Sequence, residues 1–125
     1  EVLELHPMRG ALFETLVVGE FVKARYNAGL PADLFFWRDN NGLEADLVFE
    51  QGRRLQSVEI KSGQTVTSDY IRAGQKSARF AGDKAAKPWL VYGGNESYER
   101  SGVMVMGWRT LANEGGAHVT MDGAE

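Results

Sequence analysis

The sequence predicts an α/β domain built on a mixed sheet of four to five strands flanked by helices. Three observations carry this prediction. Residues 44–61 alternate polar and apolar side chains in two runs separated by a glycine turn, which is the pattern of a β-hairpin. Residues 8–28 repeat apolar side chains at helical spacing, and a second, thinner helical pattern covers 67–80. The apolar run Trp89-Leu90-Val91-Tyr92 follows that second helix. A strand reached through a crossover helix lies parallel to the strand the chain has just left.

Taken in order, residues 1–7 read as a connector, with Pro7 well placed just before a helix. In the first helix Phe13, Leu16, Val17, Phe21 and Ala24 form the apolar stripe, and Asn27-Ala28-Gly29 stops it. Glu20 falls inside that stripe, where a carboxylate needs a partner. Glu14 lies at the stripe's edge. Each also has an ordinary reading as a helix-face acid paired with Arg9, Lys23 or Arg25. Pro31-Ala32-Asp33 is a turn. Leu34 to Arg38 is a short aromatic strand expected centrally in the sheet or against a helix, with Trp37 in the core. Arg38 is within reach of a phosphate or a carboxylate, and Asp39-Asn40-Asn41-Gly42 is a turn signal.

The hairpin from Gly42 to Lys61 organises the rest. Glu44 and Asp46 share one strand face, and Glu59 and Lys61 share one face of the next strand. A two-residue loop at Gln51-Gly52 sets Asp46 opposite Ser57 and Glu44 opposite Glu59. A loop longer by two residues sets Asp46 opposite Glu59. Both keep Asp46, Glu59 and Lys61 on one face, and a one-residue slip would expose the apolar side. Opposed like charges destabilise a sheet unless something offsets them. A hard divalent cation with oxygen ligands does so. The alternative is a solvated face stitched by salt bridges from Lys61 or the arginines.

After Lys61 comes a loop at residues 62–65. Thr67 or Ser68 can cap a helix running to about Phe80, with Asp69 in its first turn and Ile71, Gly74, Ala78 and Ala81 as its apolar face. Gln75 reads as a surface residue. Residues 82–87 form a basic loop, Val103 to Met106 is a further strand, and Trp108 to Asn113 is a short helix. Residues 114–125 are small and polar, the composition of a mobile tail.

The Asp46…Glu59-x-Lys61 arrangement resembles the PD-(D/E)xK nuclease superfamily, which includes restriction endonucleases. The chain is also similar to an uncharacterised domain found C-terminal to the ATPase domain of many prokaryotic AAA+ ATPases. That likeness rests on Gly10-x-Leu12-Phe13-Glu14, Phe36-Trp37-Arg38-Asp39, Gly42-x-Glu44-x-Asp46 and Glu59-Ile60-Lys61, over about residues 8–108. The proline that often precedes the Asp is missing. The resemblance implies a restriction-endonuclease-like core and Mg²⁺- or Mn²⁺-dependent cleavage of nucleic-acid phosphodiesters, DNA above all. It assigns Asp46, Glu59 and the Ile60 carbonyl to the metal. Lys61 would orient water or stabilise the phosphate, and Glu14 would assist. It also implies an ATPase domain in the same chain, and a first residue of Glu fits a C-terminal fragment of such a protein.

Composition bounds these expectations. The 125 residues suit one domain, with 43% hydrophobic and 25% charged residues. There is no cysteine, which excludes thiolate metal sites and fits a reducing cytoplasm. No apolar run is long enough to span a membrane. His6 and His118 lie near opposite ends, so a histidine-based site is not expected. A net charge of −3 opposes nonspecific phosphate binding, although a metal site itself gathers acids. The acidity supports the rival expectation of a catalytically inactive DNA-binding or protein-interaction module. Arg53, Arg54, Arg72, Lys76, Arg79, Lys84 and Lys87 read as a solvated basic scatter.

Overall fold

The computed structural model describes residues 9–113 except positions 32, 39 and 41. The expected connector at 1–7 and tail at 114–125 lie outside the described residues, as do Ala32, Asp39 and Asn41 of the two expected turns. The chain runs α1 (Arg9–Asn27), β1 (Phe35–Arg38), β2 (Glu44–Gln51), β3 (Arg54–Lys61), α2 (Ser68–Ser77), a 3₁₀ helix (Arg79–Lys84), β4 (Trp89–Tyr92), β5 (Tyr98–Arg100), β6 (Val103–Gly107) and α3 (Trp108–Asn113). The sheet has six strands in the order β1-β2-β3-β4-β6-β5. β3, β4 and β6 are mutually parallel, and β1, β2 and β5 join antiparallel.

Six strands exceed the expected four to five. The extra one, β5, is a polar three-residue edge strand that turns into β6 through Ser101-Gly102, both at positive φ (53° and 80°). A two-residue loop with positive φ at both positions matches the natural twist of a hairpin. The aromatic strand β1 is a second correction. It lies at the opposite sheet edge, and Phe35 and Phe36 are 62% and 78% exposed. Trp37 is half-exposed and stacks on Phe80 with centroids 5.0 Å apart.

Each sheet face carries its own core. Val17, Phe21 and Ala24 of α1 pack on Leu47, Phe49, Val58, Ile60, Trp89 and Val91. Ile71 of α2 packs on Leu90, Tyr92, Val103 and Val105 of the other face. The alternation of β3 accounts for both: Val58 and Ile60 face α1, while Ser57 faces α2 and meets Ser77 at 3.3 Å. Leu16, expected in the α1 stripe, is 55% exposed. With Leu12 it forms a ridge to the side of the 13-17-21-24 line, one that no described element covers. Thr67 caps α2, its side chain accepting the Tyr70 N–H at 3.2 Å. The helix stops at Ser77 instead of about Phe80, and the chain tightens into the 3₁₀ turn up to a kink at Gly82. Gly74 sits where a Cβ would stand 3.1 Å from Val103, so its lack of a side chain lets the helix lie close on the sheet.

Candidate functional site

The hairpin turn is Gly52-Arg53, one residue later than Gln51-Gly52, and Gln51 pairs with Arg54. Gly52, with φ of 65°, occupies the first loop position, where such turns require glycine-like geometry. This shift selects the second of the two expected registers. The last ladder pair is Leu47 opposite Val58, and one step further Asp46 faces Glu59. There the Asp46 carboxylate, through Oδ2, accepts the Ile60 N–H at 2.8 Å. That bond fixes the side chain at the open end of the hairpin.

The fold draws Asp46, Glu59 and Lys61 together. Glu59 is buried, and its Oε2 lies 3.4 Å from Lys61 Nζ, which remains about one-third exposed. Burial pushes the Glu59 carboxyl up to about 8, with the Asp46 charge adding to the rise and Lys61 opposing it. Asp46 is also raised, first by burial, against the lowering effect of the Ile60 N–H and Lys61. Of the two carboxyls Glu59 has the greater affinity for a proton, with the Asp46 charge beside it. Near neutral pH the pair therefore holds a proton in the absence of a cation.

Glu14 joins the cluster electrostatically. Its carboxyl is raised by burial and then by the Asp46 charge, and lowered by Lys61. Glu14 and Asp46 also line one cavity of about 350 Å³, walled by Val18, Phe35, Phe36 and Leu47. Glu20 does not join it. Its Oε2 pairs with Lys23 at 3.3 Å, and its Oε1 is buried without a partner among the described residues. Arg25, a possible partner by spacing, instead donates to the Pro31 carbonyl at 2.7 Å and lies over Phe49. Arg38 pairs with Glu44 at 3.5 Å on the exposed side of the hairpin. Gln75 is on the surface, where it donates to the Ser101 carbonyl at 2.9 Å.

Sequence reading missed the support under Lys61. The Gly93 N–H donates to the Gly63 carbonyl at 2.9 Å. A Cβ on Gly93 would come within 2.3 Å of the Ser62 carbonyl oxygen. The Gly93-Gly94 pair was readable only as the end of a strand; the close approach depends on β3 and β4 lying side by side.

Among the described residues, no three carboxylate, imidazole or thiolate side chains form a ready metal cage. The set expected here needs only two carboxylates and the Ile60 carbonyl. Two paired carboxyls are hard oxygen donors, the ligand type that divalent cations such as Mg²⁺ take. Among the described residues no helix is long and apolar enough to cross a membrane.

No curated protein matches the chain. Residues 9–111 match the family model described as "Domain of unknown function (DUF4143)", so the chain belongs to that family.

Proposed function

We propose that this DUF4143 domain is a metal-dependent phosphodiesterase of the PD-(D/E)xK type, acting on nucleic acid, with a restriction-endonuclease-like core. The observation that carries the reading is the Asp46–Glu59 carboxyl pair at the open end of the β2–β3 hairpin, with Lys61 Nζ 3.4 Å from Glu59. Burial and repulsion store unfavourable energy in that pair, and a cation would release it.

Asp46, Glu59 and the Ile60 carbonyl would hold Mg²⁺ or Mn²⁺. Once bound, the ion supplies a water of lowered pKa and neutralises charge developing on the phosphate. The Ile60 N–H keeps Asp46 oriented, so the ligand is positioned before the substrate arrives. Lys61, partly exposed beside Glu59, presents its ammonium to the phosphate oxygens or to the attacking water. Glu14, with its raised affinity for a proton, is suited to position that water. Attachment to an AAA+ ATPase domain and a cytoplasmic setting belong to the same proposal.

The test is cleavage of plasmid, single-stranded and branched DNA with Mg²⁺ or Mn²⁺, by wild type and by Lys61→Ala. Metal-dependent cleavage lost in the variant supports the reading. A wild type inert on every substrate, with no thermal response to metal, would favour a quiet binding module, as the −3 net charge also would.

A further inference from the structure

A second cavity lies at the other end of the same hairpin. It has a volume of about 520 Å³, within the range of small-molecule sites. Gln51, Arg53, Arg54, Gln56, Lys87 and Trp89 line it, and no lining residue is Asp or Glu. The strand register explains the convergence. Gln51 and Arg54 are paired, Gln56 faces Phe49 across the ladder, and Val58 faces Trp89, so these side chains share the sheet face on which α1 packs. Asp46 and Glu59 are paired one step beyond the opposite end of that ladder.

Three features of the lining point to a ligand bearing negative oxygens. The Gln51 side-chain nitrogen is buried with no acceptor among the described residues, a costly condition for an amide donor. The Arg54 guanidinium is held by two backbone carbonyls, those of Asp83 and Ala85, each at 3.3 Å, and among the described residues its charge pairs with no carboxylate. Arg53, at the second turn position, is exposed and adds a further cation. Lys87 is already paired with Glu99 at 2.6 Å and contributes less. Gln56 Nε2 is occupied by the Ser57 and Lys87 carbonyls, so Gln51 is the amide left to donate. Trp89 gives the floor an aromatic surface, although the residue is only 3% exposed.

We infer that this cavity binds a phosphate-bearing ligand of nucleotide size, with the phosphate on the exposed Arg53 and Arg54 and the Gln51 side chain turning its buried amide onto it. The inference stands apart from the proposed nuclease chemistry. The phosphate could belong to a free mononucleotide or to a nucleotide within a strand.

The experiment is a titration of the ¹⁵N-labelled protein in EDTA, which keeps the carboxylate end free of metal. Inorganic phosphate, AMP and a short thymidine oligonucleotide are added separately. AMP is expected to shift the Gln51 side-chain amide and the backbone amides of Gly52, Arg53 and Arg54, and to bind more tightly than inorganic phosphate. Gln51→Glu should weaken AMP binding by about tenfold or more, since it replaces a donor by a carboxylate. Arg53→Ser, at an exposed turn position, should weaken it as well and guards against misfolding of the first variant. An oligonucleotide that binds more tightly than AMP identifies a strand phosphate; AMP that binds while the oligonucleotide does not identifies a mononucleotide. Unmoved Gln51 and turn resonances at millimolar AMP would overturn the inference, as would equal AMP affinity in wild type and both variants.

Discussion

The two ends of the β2–β3 hairpin are made of the same two strands, yet their chemistry is opposite. At the open end two carboxyls face each other, burial pushing that of Glu59 up to about 8, with one ammonium 3.4 Å from it. At the turn end two arginines and an unpartnered amide donor meet with no acidic residue in the lining. The backbone ladder is continuous between them, from Leu47–Val58 to Gln51–Arg54. The difference therefore comes from side-chain choice on a common scaffold. The ladder fixes which residues meet, and the charges placed there decide what each end can hold. In the proposals made above, a cation would relieve the open end and an anion would satisfy the turn end.

The contrast can be broken most severely at Lys61. Lys61→Ala should lower metal-dependent cleavage by about a hundredfold or more, as expected for a removed charge-stabilising group. Single-turnover assays would measure this. The next effect is structural. Gly93→Ala would press a Cβ against the Ser62 carbonyl beside Lys61 and should cost about 2 kcal/mol or more in denaturant unfolding.

The third effect is pH-dependent. The Glu59 carboxyl sits at about 8 in the folded chain against an ordinary value of 4.5. Between those values the folded state holds the extra proton, so stability should fall as pH rises through that window and level off above it. The slope is at most about 1.4 kcal/mol per pH unit. Glu59→Gln should remove most of this slope in EDTA, as followed by denaturant melts from pH 5 to 9. Asp46→Asn is the better companion than Asp46→Ala, because an alanine would also strand the Ile60 N–H that Asp46 accepts. The smallest effect belongs to an exposed side chain of the edge strand: Phe36→Ser, at a 78% exposed position, should change stability by less than about 0.5 kcal/mol.

Much of the open end was legible in the sequence because strand parity is robust. Either turn considered at 51–54 keeps Asp46, Glu59 and Lys61 on one face, so the cluster survived an error of one residue in the turn. The parallel β3–β4 pairing was legible for a similar reason, since a crossover helix permits little else. Other features depend on what lies beside an element, which no local pattern encodes. The aromatic run 35–38 reads as buried, yet it occupies the sheet edge. Leu16 fits the α1 stripe by spacing but flanks the line that meets the sheet. β5 carries no apolar alternation at all and was marked only by the Ser101-Gly102 turn. The basic cavity was invisible because Lys87 and Trp89 reach Arg53 and Arg54 only through the folded register.

The central claim is that the Asp46–Glu59 pair is built for a divalent cation. It is tested most directly by the melting temperature of the wild type in EDTA and in millimolar Mn²⁺, at pH 6 and at pH 8.5. Metal binding to the folded state alone raises the melting temperature, and a metal on Glu59 must displace the proton that its raised carboxyl holds. The account predicts a rise with Mn²⁺ that is larger at pH 8.5 than at pH 6 and is lost in Asp46→Asn. No rise at either pH, or an equal rise in wild type and Asp46→Asn, would contradict it.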